Sequence, residues 1–294
     1  MNKVGFIGVG IMGKSMVRNL MKAGFELHIY ARTKSKVEDV ISEGAQFHES
    51  IKDCVQDCDA VITIVGFPQD VEEVYFDQGN ILDSAKEGAY LIDMTTTSPQ
   101  IAEKIYAEGT KRGFHVMDAP VTGGDTGAKA GTLSILVGGE KEDYEACMPL
   151  FEAMGTNINY QGKAGCGQHC KLANQIMIAG TLSGVCEALT YAKEQGLDPE
   201  VFMKSVATGA AGSKQLDTFG PKILKDDYAL GFFMKHFIKD MKLALIEANR
   251  KGLSLDVLSM VLANYEELEQ EGYGDLGTQA LMKFYDEEHR NMEE

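Results

Sequence analysis

The sequence predicts an α/β unit built on a parallel sheet, followed by an all-helical unit, with one long helix between them. Short apolar strands alternate with helical segments up to about residue 160, a pattern typical of a doubly wound sheet. A proline-free helical stretch follows at residues 165–196, and the segments after it have helical patterns only. We therefore predict a dinucleotide-binding domain at residues 1–163 and an all-helical substrate and dimerisation domain at residues 164–294.

The long helix is predicted from the spacing of its apolar residues. They recur at intervals of three and four, at Leu172, Ile176, Ala179, Leu182, Val185, Cys186 and Leu189. At about 1.5 Å per residue, such a helix would extend for about 40 Å. Lys171 and Asn174 lie one turn apart near its start. We expect this helix to join the two halves and to carry the proton-transfer group where they meet.

Composition excludes several classes of protein. The chain has 294 residues, 44% of them hydrophobic, which is enough for a full core without disulfides or structural metals. Its net charge of -16 argues against binding to a nucleic-acid backbone. No charged and apolar leader precedes the first strand, and no apolar run approaches the roughly 20 residues of a membrane span. These observations predict a cytoplasmic protein without membrane or nucleic-acid partners.

The cysteines favour reduced thiols over a disulfide framework. The six cysteines form no CxxC pair. Cys166, His169 and Cys170 lie close enough in sequence to suggest a metal cluster, but their spacing matches no common zinc pattern and a fourth ligand is not evident. We predict that they pack on the helix and that the protein has no metal site.

The first strand, at residues 3–7, leads into a glycine motif. Gly8, Gly10 and Gly13 have the GxGxxG spacing of dinucleotide-binding loops. Gly8 permits a tight turn, Gly10 allows the backbone to approach a pyrophosphate, and Gly13 allows close packing of helix on strand. The following helix, predicted at residues 11–23, would offer its first N–H groups to the phosphates, starting at Ile11 and Met12. A purely structural glycine turn is the weaker alternative.

The end of the second strand, at residues 26–30, indicates which dinucleotide binds. An acidic residue at this point would bind the ribose hydroxyls of NAD, but the chain has Arg32, at the expected offset from the glycine motif. Arg32 can bind a 2′-phosphate bidentately, while Thr33 and Lys36 can add hydrogen bonds and charge. We therefore predict NADP as the cofactor, with NAD possible; a solvated basic loop is the alternative.

Three later strands place further loops at the ligand edge of the sheet. The strand at residues 60–65 ends at Val65, and the strand at residues 90–93 precedes a Thr-Thr-Thr-Ser-Pro run containing Thr96. Capping of the next helix explains Ser98 but does not require three threonines, so we expect Thr96 and Val65 to contact the cofactor. The strand at residues 115–119 precedes a glycine-rich segment at residues 120–133, which could be an anion-binding loop or a plain loop.

Further elements complete each half. In the first half we predict strands at residues 134–137 and 157–160 and a helix at residues 141–154. In the second half we predict a helix starting at Asp198–Pro199, a break at residues 208–213 and a helix at residues 232–249. The charged C-terminal stretch from residue 286 is predicted to fray.

Four segments in order along the chain resemble the motifs of the β-hydroxyacid dehydrogenases. They are FIGVGIMGKSMVRNLMKAGF, DAPVTGGDTGAKAGTLSILVGG, GCGQHCKLANQ and FFMKHFIKDMKLAL. This family includes 3-hydroxyisobutyrate dehydrogenases, tartronate semialdehyde reductases and 6-phosphogluconate dehydrogenases. The resemblance covers nearly the whole chain, and it implies a Rossmann-type N-terminal domain and a helical C-terminal domain joined by the long helix.

The resemblance also implies residue roles. Lys171 corresponds to the general acid/base, although a lysine one turn into a helix is more often a solvated surface residue. Asn174 resembles the asparagine that orients the substrate. The remaining implied positions are Thr122, Gly123 and Gly124 on the substrate loop, and Thr96 and Lys239 at the cofactor. For Lys239 the alternative is a solvated pair with Asp240, and His236 is expected to be a partly buried structural histidine.

Two residues depart from the family pattern. Thr122 stands where the substrate loop usually has serine, which keeps the hydroxyl but adds a methyl group and can narrow substrate choice. Gln175 replaces the usual asparagine after Asn174. Arg32 and Thr33 resemble the NADP-preferring members.

The predicted function is NAD(P)-dependent interconversion of a short-chain 3-hydroxy acid and its semialdehyde, with Lys171 as general acid/base. Imine reductases share the architecture but generally lack a lysine at the position of Lys171. A non-catalytic NADP-binding module is the other alternative. A small helical domain that packs on one long helix often leaves an apolar face that a second copy of the chain covers, so we expect a homodimer or homotetramer.

Overall fold

The structure, a computed structural model, describes residues 1–286 and consists of two compact units. The first unit is Met1–Lys171 and the second is Leu172–Glu294. The charged stretch predicted to fray lies outside the described residues except for its first residue. The predicted fold class is confirmed: the first unit contains a mostly parallel sheet with helices, and the second is helical.

The first unit contains one sheet of nine strands, all within residues 3–162. The strands are β1 Lys3–Ile7, β2 Glu26–Tyr30, β3 Gln46–His48, β4 Ala60–Thr63, β5 Tyr90–Asp93, β6 His115–Asp118, β7 Val121–Thr122, β8 Leu133–Gly139 and β9 Gly155–Gly162. The order is β3-β2-β1-β4-β5-β6-β8-β7, and β9 pairs with β8. Strands β3 to β6 along this order are parallel, while β8 is antiparallel to β6 and β7.

This strand order places a topological switch point between β1 and β4. In doubly wound sheets, ligands bind at the carboxyl ends of the strands at this point. The loops that follow β1, β4, β5 and β6 therefore lie along one edge of the sheet, because the four strands are parallel. These are the loops that contain the glycine motif, Val65, Thr96 and the start of the glycine-rich segment.

Helices cover the sheet of the first unit. They are α1 Ile11–Lys22, α2 Glu38–Ser42, α3 Ile51–Val55, α4 Pro68–Phe76, α5 Ile81–Ser84, α6 Pro99–Lys111, α7 Gly124–Ala130, α8 Lys141–Ala146 and α9 Met148–Met154, with a short 3-10 helix at Lys34–Lys36. Two apolar clusters fill the layers between helices and sheet, one including Phe6, Met16 and Phe151, the other including Tyr75 and Leu91.

Two sequence-based predictions for this unit were wrong in detail. The single helix predicted at residues 141–154 is two helices, with the break at Cys147. Pro149 is in the first turn of the second helix, where its missing N–H is tolerated, whereas inside a longer helix it would remove a backbone hydrogen bond. The glycine-rich segment is not a loop throughout: residues Gly124–Ala130 form a short helix that ends at Gly131, which has a left-handed φ of 69°.

The long helix α10 spans Cys166–Glu194, as predicted. It passes the length and composition test for a membrane span, contrary to the expectation that no apolar run would come close, although 44% of the apolar window is buried. A core helix meets the same test. Leu182, Cys186 and Leu189 of this helix belong to the apolar core of the second unit, which accounts for its apolar composition.

The second unit continues from α10 with four more α-helices within the described residues. They are α11 Pro199–Val206, α12 Lys214–Ile223, α13 Met234–Arg250 and α14 Asp256–Gln270, followed by 3-10 helices at Tyr273–Asp275 and Thr278–Tyr285. Asp198 caps α11 by accepting hydrogen bonds from the N–H groups of Glu200 and Val201, as its position before Pro199 predicted. Phe237, Met241 and Tyr265 are fully buried in the core that these helices share with α10.

Candidate active site

The glycine motif adopts the geometry that its spacing predicts. Gly8 has a φ of 97°, and a Cβ there would lie 2.1 Å from the carbonyl oxygen of Ile64, so only glycine fits. A Cβ on Gly13 would lie 2.2 Å from the carbonyl oxygen of Gly8. Gly10 differs, because its φ of -88° is open to any residue and a Cβ would meet nothing within 4 Å.

The space beside Gly10 is open. Neither packing nor backbone conformation within the described chain requires a glycine there. A pyrophosphate that approaches the start of α1 would require one, because a side chain would occupy the same space. Ile11, in the first turn of α1, keeps 55% of its surface exposed although it is apolar, and Met12 is half-buried. The loop therefore has both the free backbone and the apolar surface that a bound cofactor would cover.

The basic residues after β2 lie on the surface. Arg32, Thr33 and Lys36 are all exposed, with Thr33 preceding the 3-10 helix that contains Lys36. The guanidinium of Arg32 is not isolated: its Nη2 lies 3.1 Å from Oδ1 of Asp70 in α4. The sequence left a solvated basic loop as the alternative to a phosphate site. The loop is exposed, and it contains one specific ion pair, between Arg32 and Asp70.

The ends of β4 and β5 are joined by a buried polar network. Thr63 donates its hydroxyl proton to Oδ1 of Asp93 at 2.8 Å, and the same oxygen accepts the N–H of Thr95. The Thr95 hydroxyl in turn accepts the N–H of Val65 at 2.9 Å. Burial raises the pKa of Asp93 to about 6. This network fixes the two loops that contain Val65 and Thr96.

Gln168, in the first turn of α10, clamps the loop after β5. Its side chain is fully buried, with Nε2 donating to the Thr95 carbonyl at 2.7 Å and Oε1 accepting the Thr97 N–H at 2.9 Å. The two bonds flank Thr96, which is half-buried. The start of the long helix is thereby attached to the loop predicted to contact the cofactor.

Asp118, the last residue of β6, anchors the same helix start. Its two carboxylate oxygens accept the N–H groups of Gly165 at 2.7 Å and Gln168 at 2.8 Å, which the helix itself leaves without partners. Burial raises the pKa of Asp118, while these two hydrogen bonds oppose the rise. Gly167 permits the close approach, because a Cβ there would lie 2.3 Å from the Leu136 carbonyl oxygen.

Lys171 follows Gln168 by three residues on α10. Only 7% of its surface is exposed, so it is not the solvated surface lysine that its position alone suggested. Asn174, one turn further along the same helix, is half-buried. The two residues predicted to act on the substrate thus lie on one side of one helix.

A second buried network lies within the helical unit. The Asn174 side chain donates to Oε1 of Gln175 at 2.8 Å, and Gln175 donates to Oδ2 of Asp240 at 2.7 Å. Oδ1 of Asp240 lies 3.1 Å from Nζ of Lys239. Both side chains of this ion pair are nearly buried, with 12% and 1% of their surface exposed. The alternative interpretation of the sequence, a solvated pair of Lys239 and Asp240, is therefore wrong. Gln175, which stands where the family usually has asparagine, therefore provides a hydrogen-bond partner for the side chain of Asn174.

The substrate loop predicted from the sequence lies after β6. Thr122 ends β7, and Gly123 and Gly124 both have positive φ values, 130° and 66°. Gly123 and Gly124 are exposed and Thr122 is half-buried. His236, in the second unit, is half-buried beside the rings of Phe232 and Phe233, as predicted.

The residues that hold this site together were not predicted from the sequence. Gln168, Asp118 and Thr95 are buried and act through backbone partners far away in sequence. One signal was present: β4, β5 and β6 each end in a polar residue, namely Thr63, Asp93 and Asp118. Among residues 1–286, no three His, Cys, Asp or Glu side chains are arranged to hold a metal ion.

Comparison with known proteins identifies the family. A family model described as the NAD binding domain of 6-phosphogluconate dehydrogenase matches residues 3–162. A second, described as the NAD-binding of NADP-dependent 3-hydroxyisobutyrate dehydrogenase, matches residues 165–285. The chain belongs to the β-hydroxyacid dehydrogenase family. It is therefore an oxidoreductase built from NAD(P)-binding domains.

Individual relatives agree with this assignment. An uncharacterized oxidoreductase, YkwC, of Bacillus subtilis is 49% identical over 96% of this chain and 98% of its own length. A probable mitochondrial 3-hydroxyisobutyrate dehydrogenase-like protein of Arabidopsis thaliana is 44% identical over 95% of this chain and 84% of its own. The solved structure of 3-hydroxyisobutyrate dehydrogenase from Mycobacterium tuberculosis with L-serine superposes with a TM-score of 0.88 at 26% identity, covering 96% of this chain and 98% of that one.

Imine reductases resemble the chain less. The enzyme of Myxococcus stipitatus in complex with NADP+ superposes with a TM-score of 0.66 at 17% identity, covering 97% of this chain and all of that one. A likeness at this identity shows a shared fold alone.

Proposed function

We propose that the protein interconverts a short-chain 3-hydroxy acid and its semialdehyde, with Lys171 as general acid/base and with a preference for NADP over NAD. The observation that supports this most directly is the construction of the start of α10. Asp118 and Gln168 attach the first turn of this helix to the ends of β6 and β5, at the edge of the sheet that also bears the glycine motif. Lys171 follows one turn later and is buried.

The residues that would hold the cofactor are those at the sheet edge. The first N–H groups of α1, at Ile11 and Met12, would bind the pyrophosphate beside Gly10. Arg32, Thr33 and Lys36 would bind a 2′-phosphate, while Val65 and Thr96 would contact the cofactor from the loops after β4 and β5. We assign Lys239 to the nicotinamide end by resemblance to the family. When bound, the nicotinamide supplies or accepts the hydride.

The other requirements of the reaction fall to side chains and backbone of this chain. Lys171 donates a proton to the carbonyl oxygen during reduction and removes the hydroxyl proton during oxidation. The hydroxyl of Thr122 and the N–H groups of Gly123 and Gly124 bind the substrate carboxylate. Asn174, supported by Gln175, orients the substrate. Candidate substrates are 3-hydroxyisobutyrate, tartronate semialdehyde, succinic semialdehyde and a sulfonated analogue.

A panel assay tests the proposal. We expect loss of NADPH absorbance with at least one of these short semialdehydes, and a lower kcat/KM when NADH replaces NADPH. Lys171→Met should lower kcat by about 10²–10⁴-fold, the usual contribution of one general acid/base, with little change in the Kd for NADPH. Lys193→Met, an exposed lysine on the same helix, is the matched control. Unchanged turnover in Lys171→Met would remove Lys171 from the chemistry.

The same panel separates the two alternatives. Consumption of NADPH with a cyclic imine but with none of the semialdehydes would favour an imine reductase, and binding of NADPH without any consumption would favour a non-catalytic module. Imine reductases generally lack a lysine at the position of Lys171, so its presence argues against the first alternative. Non-catalytic members of the family lose this lysine or gain basic segments, so Lys171 and the acidic charge of the chain argue against the second.

We further propose that the protein is a cytoplasmic homodimer or homotetramer. The support is a set of large apolar side chains in the helical unit that are about half or more exposed, namely Met177, Tyr191, Leu197, Val201, Ile246, Leu253, Val257 and Met260. Apolar surface of this extent is commonly covered by another subunit. Light scattering on the purified protein gives the oligomeric state directly.

A further inference from the structure

The first turn of α4 contains an acidic residue held in a defined position. Asp70 accepts the backbone N–H of Phe67 on Oδ2 at 3.0 Å, closing the turn at the start of the helix. The Asp70 side chain is only 17% exposed. Because one oxygen is fixed by the backbone and most of the side chain is packed, the direction of the second oxygen is fixed as well.

That second oxygen faces the residue predicted to select the cofactor. Oδ1 of Asp70 lies 3.1 Å from Nη2 of Arg32, whose side chain is 71% exposed. The pair therefore joins an immobilised carboxylate from the first turn of α4 to a solvent-facing guanidinium from the loop after β2. No helix-capping requirement explains this contact, since the cap uses only Oδ2.

The chemistry of this contact differs between the two cofactors. A 2′-phosphate bound to Arg32 must share the guanidinium with the Asp70 carboxylate, and two anions on one cation repel each other. A ribose 2′-hydroxyl, by contrast, can donate a hydrogen bond to a carboxylate, which is how acidic residues at the end of β2 recognise NAD in related folds. Asp70 thus supplies, from the first turn of α4, the acid that the end of β2 lacks.

We propose that Asp70 is a specificity-determining residue that limits the preference for NADP over NAD by competing for Arg32. This inference rests on the proposed role of Arg32 as the 2′-phosphate ligand. The enzyme retains use of NAD because of Asp70, and removal of this one charge makes it more selective for NADP.

Fluorescence titration of NADPH and NADH onto the intact protein tests this without any substrate. Asp70→Asn keeps an oxygen for the Phe67 N–H and removes the charge, and Asp70→Ser is a second variant with a capping oxygen. Glu72→Gln is the matched control, because Glu72 lies on the same helix and pairs with Lys104 at 2.9 Å, away from the Arg32 pair. Arg32→Ala, alone and combined with Asp70→Asn, completes a double-mutant cycle.

We expect Asp70→Asn to tighten NADPH binding about 1.5- to fivefold, the range of one surface charge pair, and to leave NADH binding unchanged or weaker. The gain should shrink at high ionic strength, be absent in Glu72→Gln and disappear in the Arg32→Ala background. Equal effects on both cofactors, or the same effect in Glu72→Gln, would overturn the inference.

Arg32→Ala separates this inference from the proposed function. If Arg32→Ala lowers the ratio of NADPH to NADH affinity while Asp70→Asn has no effect, only the role of Asp70 is wrong. If Arg32→Ala leaves the ratio unchanged, the proposed recognition of the 2′-phosphate is wrong and the competition by Asp70 is wrong with it.

Discussion

The three glycines of the first loop meet three different physical requirements, and the structure separates them. Gly8 is required by its positive φ and Gly13 by contact with the Gly8 carbonyl, so both serve the fold. Gly10 serves neither purpose, since its φ is ordinary and the space beside it is open. A residue type that packing does not require is a sensitive indicator of a ligand.

Substitution of these glycines should therefore separate stability from binding. We expect Gly13→Ala to lower the free energy of unfolding by about 1–3 kcal/mol, because its Cβ would overlap backbone. Gly10→Ala should leave stability within about 0.5 kcal/mol of the wild type but weaken NADPH binding about tenfold, equivalent to about 1.4 kcal/mol. Denaturant unfolding and fluorescence titration measure the two effects; a Gly10→Ala protein that binds NADPH normally would contradict the pyrophosphate site.

At the scale of the elements, the local signals in the sequence were reliable where a single residue decides the outcome. Gly8 and Gly13 at a turn, Ser98 before Pro99 and Asp198 before Pro199 all predicted element boundaries correctly. The sequence failed where tertiary contacts decide. The glycines at 124–131 suggested a loop, yet Gly127 lies in α7, where a Cβ would be 3.3 Å from Cδ2 of Leu133. The spacing of residues in the sequence does not indicate this contact.

The support of the candidate site was equally inaccessible to the sequence. Gln168 reads as an ordinary helix-forming residue, and its role follows only from the buried carbonyl of Thr95 and N–H of Thr97, which lie about 70 residues earlier. By contrast, resemblance to a family predicted Lys171 and Asn174 as site residues. The hydrogen bonds of Asn174 to Gln175 and of Gln175 to Asp240 depend on tertiary structure, which the resemblance did not indicate.

The clamp made by Gln168 leads to a prediction about the loop after β5. Gln168→Met preserves size but leaves the Thr97 N–H and the Thr95 carbonyl buried without their partner, at a cost of about 1–3 kcal/mol for each group. We expect a lower melting temperature together with weaker NADPH binding and a lower kcat, because Thr96 and the start of α10 lose their shared attachment. Gln161→Met is the control, since its side chain makes one long hydrogen bond of 3.4 Å. A destabilised variant with normal kcat and normal Kd would show that the clamp is structural only.

For the molecule as a whole, the acidic residues with shifted pKa values form two groups with opposite effects on stability. Surface carboxylates such as Asp83 and Glu108 have pKa values lowered by hydrogen bonds, so they stabilise the fold above their unfolded pKa and lose that effect in acid. Asp93 and Asp118 have pKa values raised by burial and do the reverse. Four acidic residues of the described chain are buried, namely Asp93, Asp118, Asp143 and Asp240, and two of them lie at the carboxyl ends of β5 and β6.

The effect of Asp93 can be measured through the pH dependence of stability. Its pKa is raised from 3.8 to about 6, so the folded protein binds the extra proton between these values and loses stability as the pH rises through about 6. The two carboxyl states differ by up to about 3 kcal/mol, at about 1.4 kcal/mol per pKa unit. Asp93→Asn cannot ionise, so its stability should decline less between pH 5 and pH 8 than that of the wild type.

Comparison of slopes keeps this test independent of any constant cost of the substitution. Asparagine keeps an oxygen for Thr63 and the Thr95 N–H, but it places an amide where Oδ2 has no hydrogen-bond partner among the described residues. That cost is the same at every pH and cancels in the slope. Asp59→Asn is the control, because the Asp59 pKa is lowered by Lys86 and by the N–H of Asn2 and its ionisation is complete over this range. Parallel curves for wild type and Asp93→Asn would mean that Asp93 stays ionised over this pH range and that burial does not raise its pKa.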